Sequence, residues 1–272
     1  MANIKLFYEG FKKSNKIMRV AGFMSGSGTN IQKILEYQQK LGHNSPFELV
    51  FLFSNNPDPE KCKIREIANR YNLEYKINDL KKFYREKGLD DISDLEVRKD
   101  YDLITLNFLK ERDIDAVVLG GYMAIVTEVI FKNFTTINVH PADLSIIDPQ
   151  THRRKYTGDH AVMDAILAGE KELRSSVHIV TEKIDGGPII LISKPLKVEL
   201  PPNILLEDLK QPNNKDMLKK ISDEHQNKLK QIGDWKIFPL ALEYIARGFI
   251  GFDENFQLYY KNKPIPNGIK LT

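Results

Sequence analysis

Short apolar segments alternate with polar, helix-patterned segments along the first half of the chain. Residues 18–24, 47–53 and 116–120 are almost continuously apolar, as strands are when both faces of their sheet are covered. Each of them runs into a loop of small or polar residues, and helical spacing follows the loop. This alternation favours a doubly wound α/β fold with a mostly parallel sheet and helices on both faces of the sheet.

The composition is that of an ordinary globular protein, and it excludes several functional classes. The 272 residues carry a formal net charge of only +3, which argues against a nucleic-acid partner. Cys62 is the single cysteine, so an intrachain disulfide and a cysteine-based zinc cluster are excluded. Because no apolar run approaches the length of a membrane span and the first residues do not resemble a signal peptide, we expect a cytoplasmic enzyme or binding protein with no membrane partner.

A glycine-rich loop, Ser25-Gly-Ser-Gly-Thr-Asn30, follows the first apolar strand and precedes a helix. Backbone N–H groups of such a loop, together with the helix dipole, can bind a phosphate. The loop matches neither the Walker A motif nor the dinucleotide fingerprint, which need a following Gly-Lys pair or a third glycine. A tight turn capped by Thr29 or Asn30 fits the same residues equally well.

Two further polar motifs stand next to predicted strands. In Asn138-Val-His140 the first and third residues project to the same face, so an amide donor and a titratable imidazole can address one ligand atom. Asp185 precedes two glycines, and its carboxylate can reach the sheet edge where ligands of such folds bind. Taken singly, the two motifs also fit a strand-end histidine and a turn-forming aspartate. The other histidines lack metal-ligand spacing, so we expect no metal site.

The order of these motifs resembles that of the phosphoribosylglycinamide formyltransferases, which are folate-dependent enzymes of purine synthesis. Between about Met18 and Gly268 the chain carries, in order, GSGTN, SNNPD, GYM, NVHPA, SSVHIVTEKIDGGPIIL, EH and PLALEYIARG. The Asn-x-His pair with the distant Asp-Gly-Gly-Pro is typical of folate-dependent formyltransferases, and GSGTN of the branch with a phosphorylated ribosyl substrate. The resemblance implies transfer of a formyl group from 10-formyltetrahydrofolate to the amine of 5-phosphoribosylglycinamide.

The resemblance also implies roles for individual residues. Asn138, His140 and Asp185 are expected to be catalytic, with Asp185 keeping His140 charged because a neighbouring carboxylate raises an imidazole pKa. The acceptor substrate is expected to bind through its phosphate and its ribose at Gly28, Thr29, Asn30 and Glu224. The folate co-substrate is expected to contact one arginine, one loop and the catalytic asparagine, namely Arg98, Met123, Ala124, Ile125, Val126 and Asn138.

The chain departs from the family pattern at several places. It has Ala124 where the family usually has Arg, and Pro141-Ala-Asp-Leu-Ser145 where the family has Pro-Ser-Leu-Leu-Pro. We expect an N-terminal extension, 1–16, before a single domain, 17–272, with insertions near 78–92, 142–157 and 200–220. Because the second insertion directly follows His140 and Pro141, we expect it to border the active site.

Two other functions stay open at the level of sequence. One is a formyltransferase of the same fold that acts on another amine, a nucleotide sugar or a tRNA. The tRNA enzyme needs a further RNA-binding domain, and only a helical segment and short strands follow residue 200. The other is a folate- or nucleotide-binding protein without turnover, against which the joint presence of Asn138, His140 and Asp185 argues.

Overall fold

The computed structural model describes residues 3–272. Its strands are, in chain order, β1 Lys5–Leu6, β2 Met18–Phe23, β3 Phe47–Ser54, β4 Glu74–Ile77, β5 Ala116–Leu119, β6 Thr135–His140, β7 Glu172–Leu173, β8 Ser176–Ile179, β9 Ile189–Ile192, β10 Leu196–Lys197, β11 Ile250–Phe252, β12 Leu258–Tyr260, β13 Lys263–Pro264 and β14 Ile269–Lys270. Its α-helices are α1 Gly10–Ser14, α2 Thr29–Leu41, α3 Ile64–Tyr71, α4 Leu80–Glu86, α5 Leu95–Lys110, α6 Glu128–Phe131, α7 Ala161–Leu167, α8 Leu206–Leu209, α9 Lys215–Leu229 and α10 Trp235–Ala246.

Eight strands form the central sheet in the order β14-β9-β8-β6-β5-β2-β3-β4. Neighbouring strands from β6 to β4 are parallel, whereas β8 is antiparallel to both β6 and β9. The fold predicted from the alternation of apolar and polar segments is confirmed. Because β2, β5 and β6 are adjacent and parallel, the loops that follow them lie side by side at one edge of the sheet.

Both faces of the sheet are covered. Alternate residues of β5 belong to different cores, because Val118 packs with residues of α2 and α10, and Val117 packs with residues of α4 and α5. This explains why every residue of β5 is buried and why the strand is continuously apolar. No helix among residues 3–272 is long and apolar enough to cross a membrane.

The predicted N-terminal extension, 1–16, packs against the C-terminal part of the chain as far as it is described, which excludes residues 1 and 2. β1 pairs with β11 in a second sheet of order β1-β11-β12-β13. The ring of Phe7 packs 4.6 Å from that of Phe252, measured between centroids. The few apolar residues of the segment therefore attach it to the C-terminal hairpin.

The three predicted insertions differ from one another. The first, near 78–92, contains α4, whose Leu80 and Tyr84 are buried in a core, and Asp79 caps this helix by accepting from Lys82 N–H at 3.1 Å. The third, near 200–220, contains α8 and the start of α9. The second, 142–157, has no helix; its one pairing is a β-bridge between Ile147 and Arg154.

Candidate active site

Three side chains from distant parts of the sequence meet at the end of β6. Asn138 and His140 belong to β6 itself, and Asp185 lies in the loop between β8 and β9. Nδ1 of His140 is 3.4 Å from a carboxylate oxygen of Asp185. The predicted catalytic residues are therefore neighbours in the fold, while their roles stay predictions.

His178 also belongs to this cluster, although sequence reasoning missed it. It stands opposite Asn138 in the β6–β8 register, and its Nε2 lies 3.4 Å from Asn138 Nδ2 and 3.4 Å from the second oxygen of Asp185. In the sequence it is one histidine within an apolar strand, a pattern that predicts a core residue. Only the antiparallel pairing of β8 with β6 could have placed it beside Asn138.

The Asp185 carboxylate is buried but well supplied with donors. Gly158 N–H donates to it at 2.9 Å, in addition to the two histidine contacts. Burial alone raises the pKa of Asp185, but the hydrogen bond of His178, the charge of His140 and the Gly158 N–H outweigh burial and lower it to about 2. Asp185 is therefore ionised throughout the neutral pH range.

His140 is only 5% exposed, and its charge differs from the expectation. Burial lowers the pKa of His140, and the charges of His178 and Arg154 act in the same direction; Asp185 raises it, but by less. The prediction that Asp185 keeps His140 charged is thus corrected, because desolvation outweighs the carboxylate. Nε2 lies 3.0 Å from the carbonyl of Tyr156 and Nδ1 lies 3.4 Å from the Asp185 carboxylate. Both partners can only accept, so a neutral ring donates to one of them and an imidazolium donates to both.

The loop that carries Asp185 has a constrained backbone. Asp185 has a φ of 49°, in the left-handed region that aspartate tolerates better than most residues. A Cβ on Gly187 would lie 1.8 Å from the carbonyl oxygen of Ile179, so only glycine fits at that position. The Asp-Gly-Gly sequence is thus required by the geometry that brings the carboxylate to His140.

The segment 142–157 borders this cluster, as expected from its position after His140. Besides the Tyr156 carbonyl, it supplies Arg154, whose guanidinium donates to the carbonyls of Asp185 and Gly187. The neighbouring basic side chains are directed elsewhere: Arg153 is exposed, and Lys155 pairs with Glu170 at 3.5 Å.

The glycine-rich loop begins α2 without a side-chain cap among the described residues. Gly28 is the N-cap, with a φ of 66°, and a Cβ there would lie 2.5 Å from the side chains of Ile67 and Met24. Thr29 is half-buried and Asn30 is buried, but neither caps the helix. The first-turn N–H groups are consequently available to an anion.

Two acidic residues of the C-terminal helices differ in their surroundings, and the expected role of Glu224 at the ribose stays a prediction. Glu224 is exposed on α9 and has no hydrogen bond or ion pair with the cluster within residues 3–272. Asp234, in the π-helical turn Lys230–Asp234, is 3% exposed, accepts from Ser175 Oγ at 2.5 Å and lies next to the side chain of Asn30. Burial raises the pKa of Asp234. Its only signal in the sequence is the break in the helical pattern near Gly233.

The apolar loop after β5 is tied directly to the glycine-rich loop. Ser25 Oγ accepts from Met123 N–H at 2.9 Å, and Ser25 N–H donates to the carbonyl of Gly121 at 3.0 Å. The side chains of Met123 and Ile125 are 69% and 43% exposed, whereas Ala124 is half-buried and Val126 buried. The large apolar side chains of Met123 and Ile125 are thus exposed to solvent at this edge of the sheet.

Arg98 does not reach toward this edge as a free cation. It is 3% exposed, and it donates to the carbonyls of Ile92 and Ile125, both at 2.9 Å. Its buried guanidinium donors bind backbone carbonyls, and its contact with the folate stays a prediction. Its contact with Ile125 holds the apolar loop.

Asp102 holds the other end of the same loop. This carboxylate is 1% exposed and accepts from both the N–H and the hydroxyl of Thr127, at 2.6 and 2.8 Å. Burial raises the pKa of Asp102 to about 6 despite these hydrogen bonds and the charge of Arg98. No group of three or more metal-ligating side chains occurs in the described part of the chain.

Known proteins resemble this chain in sequence and in fold. It is 25% identical over 254 residues to the phosphoribosylglycinamide formyltransferase of Haemophilus influenzae, covering 91% of this chain and 96% of that protein. It is 26% identical over 180 residues, 65% of its length, to the trifunctional purine biosynthetic protein adenosine-3 of Drosophila melanogaster, of which it spans only 12%. A solved phosphoribosylglycinamide formyltransferase structure from Coxiella burnetii, 23% identical, matches with a TM-score of 0.64 over 94% of this chain and 100% of that one.

A protein-family model described as "Formyl transferase" matches residues 18–211. The match includes every strand from β2 to β10, and with them Asn138, His140, His178 and Asp185. The chain belongs to the formyl transferase family.

Proposed function

We propose that this protein transfers the formyl group of 10-formyltetrahydrofolate to the amine of 5-phosphoribosylglycinamide, a step of de novo purine biosynthesis. The observation that carries the proposal is the contact of His140 with Asp185 at the end of β6, beside Asn138. The full-length similarity to a phosphoribosylglycinamide formyltransferase supports the choice of acceptor.

The glycine-rich loop is suited to a phosphorylated acceptor that also carries hydrogen-bond donors. The N–H groups at the start of α2 suit the phosphate. Asn30 Oδ1 is buried without a partner among the described residues, and the side chain of Asn30 lies next to Asp234. Because a buried acceptor without a partner is unfavourable by about 1–3 kcal/mol, a hydroxyl or amine of the acceptor substrate fits this position.

The apolar loop after β5 is suited to the formyl donor. Met123 and Ile125 expose apolar side chains on which a flat ring can pack, next to backbone polar groups that can fix its orientation. The donor supplies an activated formyl carbon when it is bound. This loop lies between the glycine-rich loop and β6, which supports binding of both ligands at the same edge of the sheet as Asn138 and His140.

Asn138 is suited to stabilising the oxyanion that forms when the amine attacks the formyl carbon. Its side chain is half-buried and its only described partner is His178, at 3.4 Å, so a short hydrogen bond to a substrate oxygen can replace that contact. Removal of one such donor typically lowers the rate about 100- to 1,000-fold.

The His140–Asp185 pair is suited to moving the proton of the attacking amine. The amine must lose a proton as its bond to the formyl carbon forms, and the leaving nitrogen must gain one. Neutral His140 has one unprotonated ring nitrogen that can take up a proton, and the ionised Asp185 next to Nδ1 stabilises the imidazolium that forms. The same ring can return that proton to the leaving nitrogen.

A formyl-transfer assay with 10-formyltetrahydrofolate and 5-phosphoribosylglycinamide tests the proposal. We expect turnover by the parent protein and a loss of about 100- to 1,000-fold in kcat for Asn138→Ala. Asn133→Ala, at an exposed asparagine, is the matched control and should keep parental kcat. Turnover only with a nucleotide sugar or a tRNA, or tight binding of both ligands without any transfer, would replace the proposal with one of the alternatives.

A further inference from the structure

Arg154 makes a contact with the candidate site that the proposed chemistry does not use. It lies in the segment 142–157, and its half-buried guanidinium donates to two carbonyls of the Asp185 loop. One terminal nitrogen binds the carbonyl of Asp185 itself, and the other binds that of Gly187 at 2.8 Å. A planar fork that engages two carbonyls fixes the orientation of the backbone between them.

From this geometry we infer that Arg154 is a positioning residue, which holds the Asp185 loop so that the carboxylate stays within reach of His140 and His178. The inference rests on the proposed function for its kinetic consequence, but its structural consequence can be measured without catalysis. It gives the segment after Pro141, which is longer than usual for the family, a specific role at the active site.

The backbone of the loop explains why a clamp is needed. Asp185 adopts a left-handed φ of 49°, which is unfavourable for a residue with a side chain. Within the loop, Gly186 N–H donates to the carbonyl of Lys183 at 2.9 Å, but this bond leaves the carbonyls of Asp185 and Gly187 without a partner of their own. Arg154 supplies both partners, and together with Gly158 N–H it holds Asp185 from two sides.

The charge of Arg154 has an effect that differs from the effect of its hydrogen bonds. Four groups face His140: Asp185 from the loop, His178 from β8, and Arg154 with the Tyr156 carbonyl from the segment 142–157. The charge of Arg154 lowers the pKa of His140, whereas a correctly placed Asp185 raises it. A substitution that keeps the charge and removes the fork therefore isolates the positioning effect.

Arg154→Lys is that substitution, and NMR titration of the His140 ring is its readout. Lysine keeps the positive charge but cannot bind two carbonyls with a planar fork. If the clamp fixes Asp185, the carboxylate moves away in the variant, and the pKa of His140 falls relative to the parent. Arg153→Met, which removes the same charge from the exposed neighbour, is the control and should leave the titration unchanged.

Kinetics give the second readout. Arg154→Met should lower kcat by about 10- to 100-fold, since small misplacements of a catalytic group reduce rates by that order, with little change in either KM. Arg154→Lys should lower kcat by less than Arg154→Met does. In an Asp185→Asn background Arg154→Lys, which keeps the charge near His140, should change kcat less than twofold, because a residue that acts through Asp185 has nothing left to position.

The outcomes separate failure of the inference from failure of the proposed function. An unchanged His140 titration and an unchanged kcat in folded Arg154→Lys would overturn the inference, and so would a full additional loss in the Asp185→Asn background. If the parent protein shows no formyl transfer, the proposed function fails, and the titration still decides whether Arg154 positions Asp185. Thermal melting of each variant establishes whether it is folded. If Arg154→Met does not fold, the titration and the kinetics of Arg154→Lys test the inference.

Discussion

His140 Nδ1 lies 3.4 Å from the carboxylate of Asp185, across an interface that exists only in the folded sheet. β6 provides the imidazole, and the loop between β8 and β9 provides the carboxylate. Burial lowers the pKa of the imidazole while Asp185 raises it, so the carboxylate offsets part of the effect of burial on the ring.

Asp185→Asn should lower the pKa of His140 further, because the amide keeps the shape of the side chain and removes its charge. Below both pKa values the ring is charged in either protein, so the difference in protonation vanishes there. Between the two values only the parent holds the imidazolium. NMR titration of His140 measures the shift directly, and Glu182→Gln, an exposed carboxylate in the same loop, is the control. An unshifted imidazole would reduce Asp185 to a turn-forming residue.

Gly28→Ala should weaken binding of the acceptor substrate and leave binding of the formyl donor nearly unchanged. The substitution puts a Cβ 2.5 Å from Ile67 and Met24 at a φ of 66°, which displaces the N–H groups at the start of α2. We expect a higher KM for the phosphorylated acceptor and a loss of roughly 1–2 kcal/mol in the free energy of unfolding.

Gly26→Ala is the matched control for Gly28→Ala. A Cβ on Gly26 meets no atom within 4 Å, so that variant should keep the parental KM and stability. Steady-state kinetics with each substrate varied in turn, together with urea unfolding, give both quantities. Equal rises in the KM of both substrates for Gly28→Ala would contradict a phosphate site at this loop.

The long apolar strands could be predicted from the sequence, and the two-residue strands β1 and β14 could not. β3 and β5 have enough consecutive apolar residues to identify them without tertiary information. β1 and β14 have two residues each and owe their conformation to pairing with β11 and β9. Such pairing depends on contacts between distant parts of the chain, which local patterns do not encode.

The same limit applies to the site. Asn138, His140 and Asp185 belong to recognisable motifs, so the sequence alone identifies them as candidate catalytic residues. His178 and Asp234 are buried polar residues that can be recognised as part of the site only from a neighbour distant in sequence. That neighbour is Asn138 for His178 and Asn30 for Asp234. The position of Arg98 on a helix predicts a contact with the folate, but side-chain direction and burial decide whether a ligand can reach the guanidinium.

Ala124→Arg should tighten binding of the formyl donor if the missing family arginine costs a contact. Ala124 is half-buried between the exposed side chains of Met123 and Ile125, so a long side chain can extend toward the same edge. Calorimetric titration with a folate measures the change, and Ala124→Met supplies similar length without charge. Binding that weakens, or that tightens equally with methionine, would argue against a lost arginine contact.

Deletion of residues 146–155 should reduce turnover more than stability. The deletion removes Arg154 and the Ile147–Arg154 bridge but leaves the Tyr156 carbonyl on His140 and the Gly158 N–H on Asp185 in the chain. We expect kcat to fall at least as far as in Arg154→Met, with a modest change in melting temperature. Formyl-transfer kinetics and thermal melting check both; unchanged kinetics in a folded deletion variant would show that the segment is dispensable.

Asp102→Asn should make stability less dependent on pH between about 4 and 7. The pKa of Asp102 is about 6 in the folded protein, above the value of about 3.9 expected when it is unfolded, so the folded state binds the proton more tightly. The free energy of unfolding of the parent therefore falls as the pH rises through this range, by about 2–3 kcal/mol from this one group. Asparagine does not titrate, and its oxygen still accepts from Thr127.

Urea unfolding of the parent and of Asp102→Asn at several pH values between 4 and 7 measures the difference in their free energies of unfolding. The contributions of all other groups cancel in that difference. Asp100→Asn is the control, because that carboxylate is exposed on the same helix and binds only Lys87, at 3.2 Å. The gap between parent and Asp102→Asn should widen in favour of the variant as the pH rises, while the gap for Asp100→Asn stays nearly constant. Parallel curves for parent and Asp102→Asn would mean that Asp102 ionises normally, and that its bonds to Thr127 hold the apolar loop without any penalty from burial.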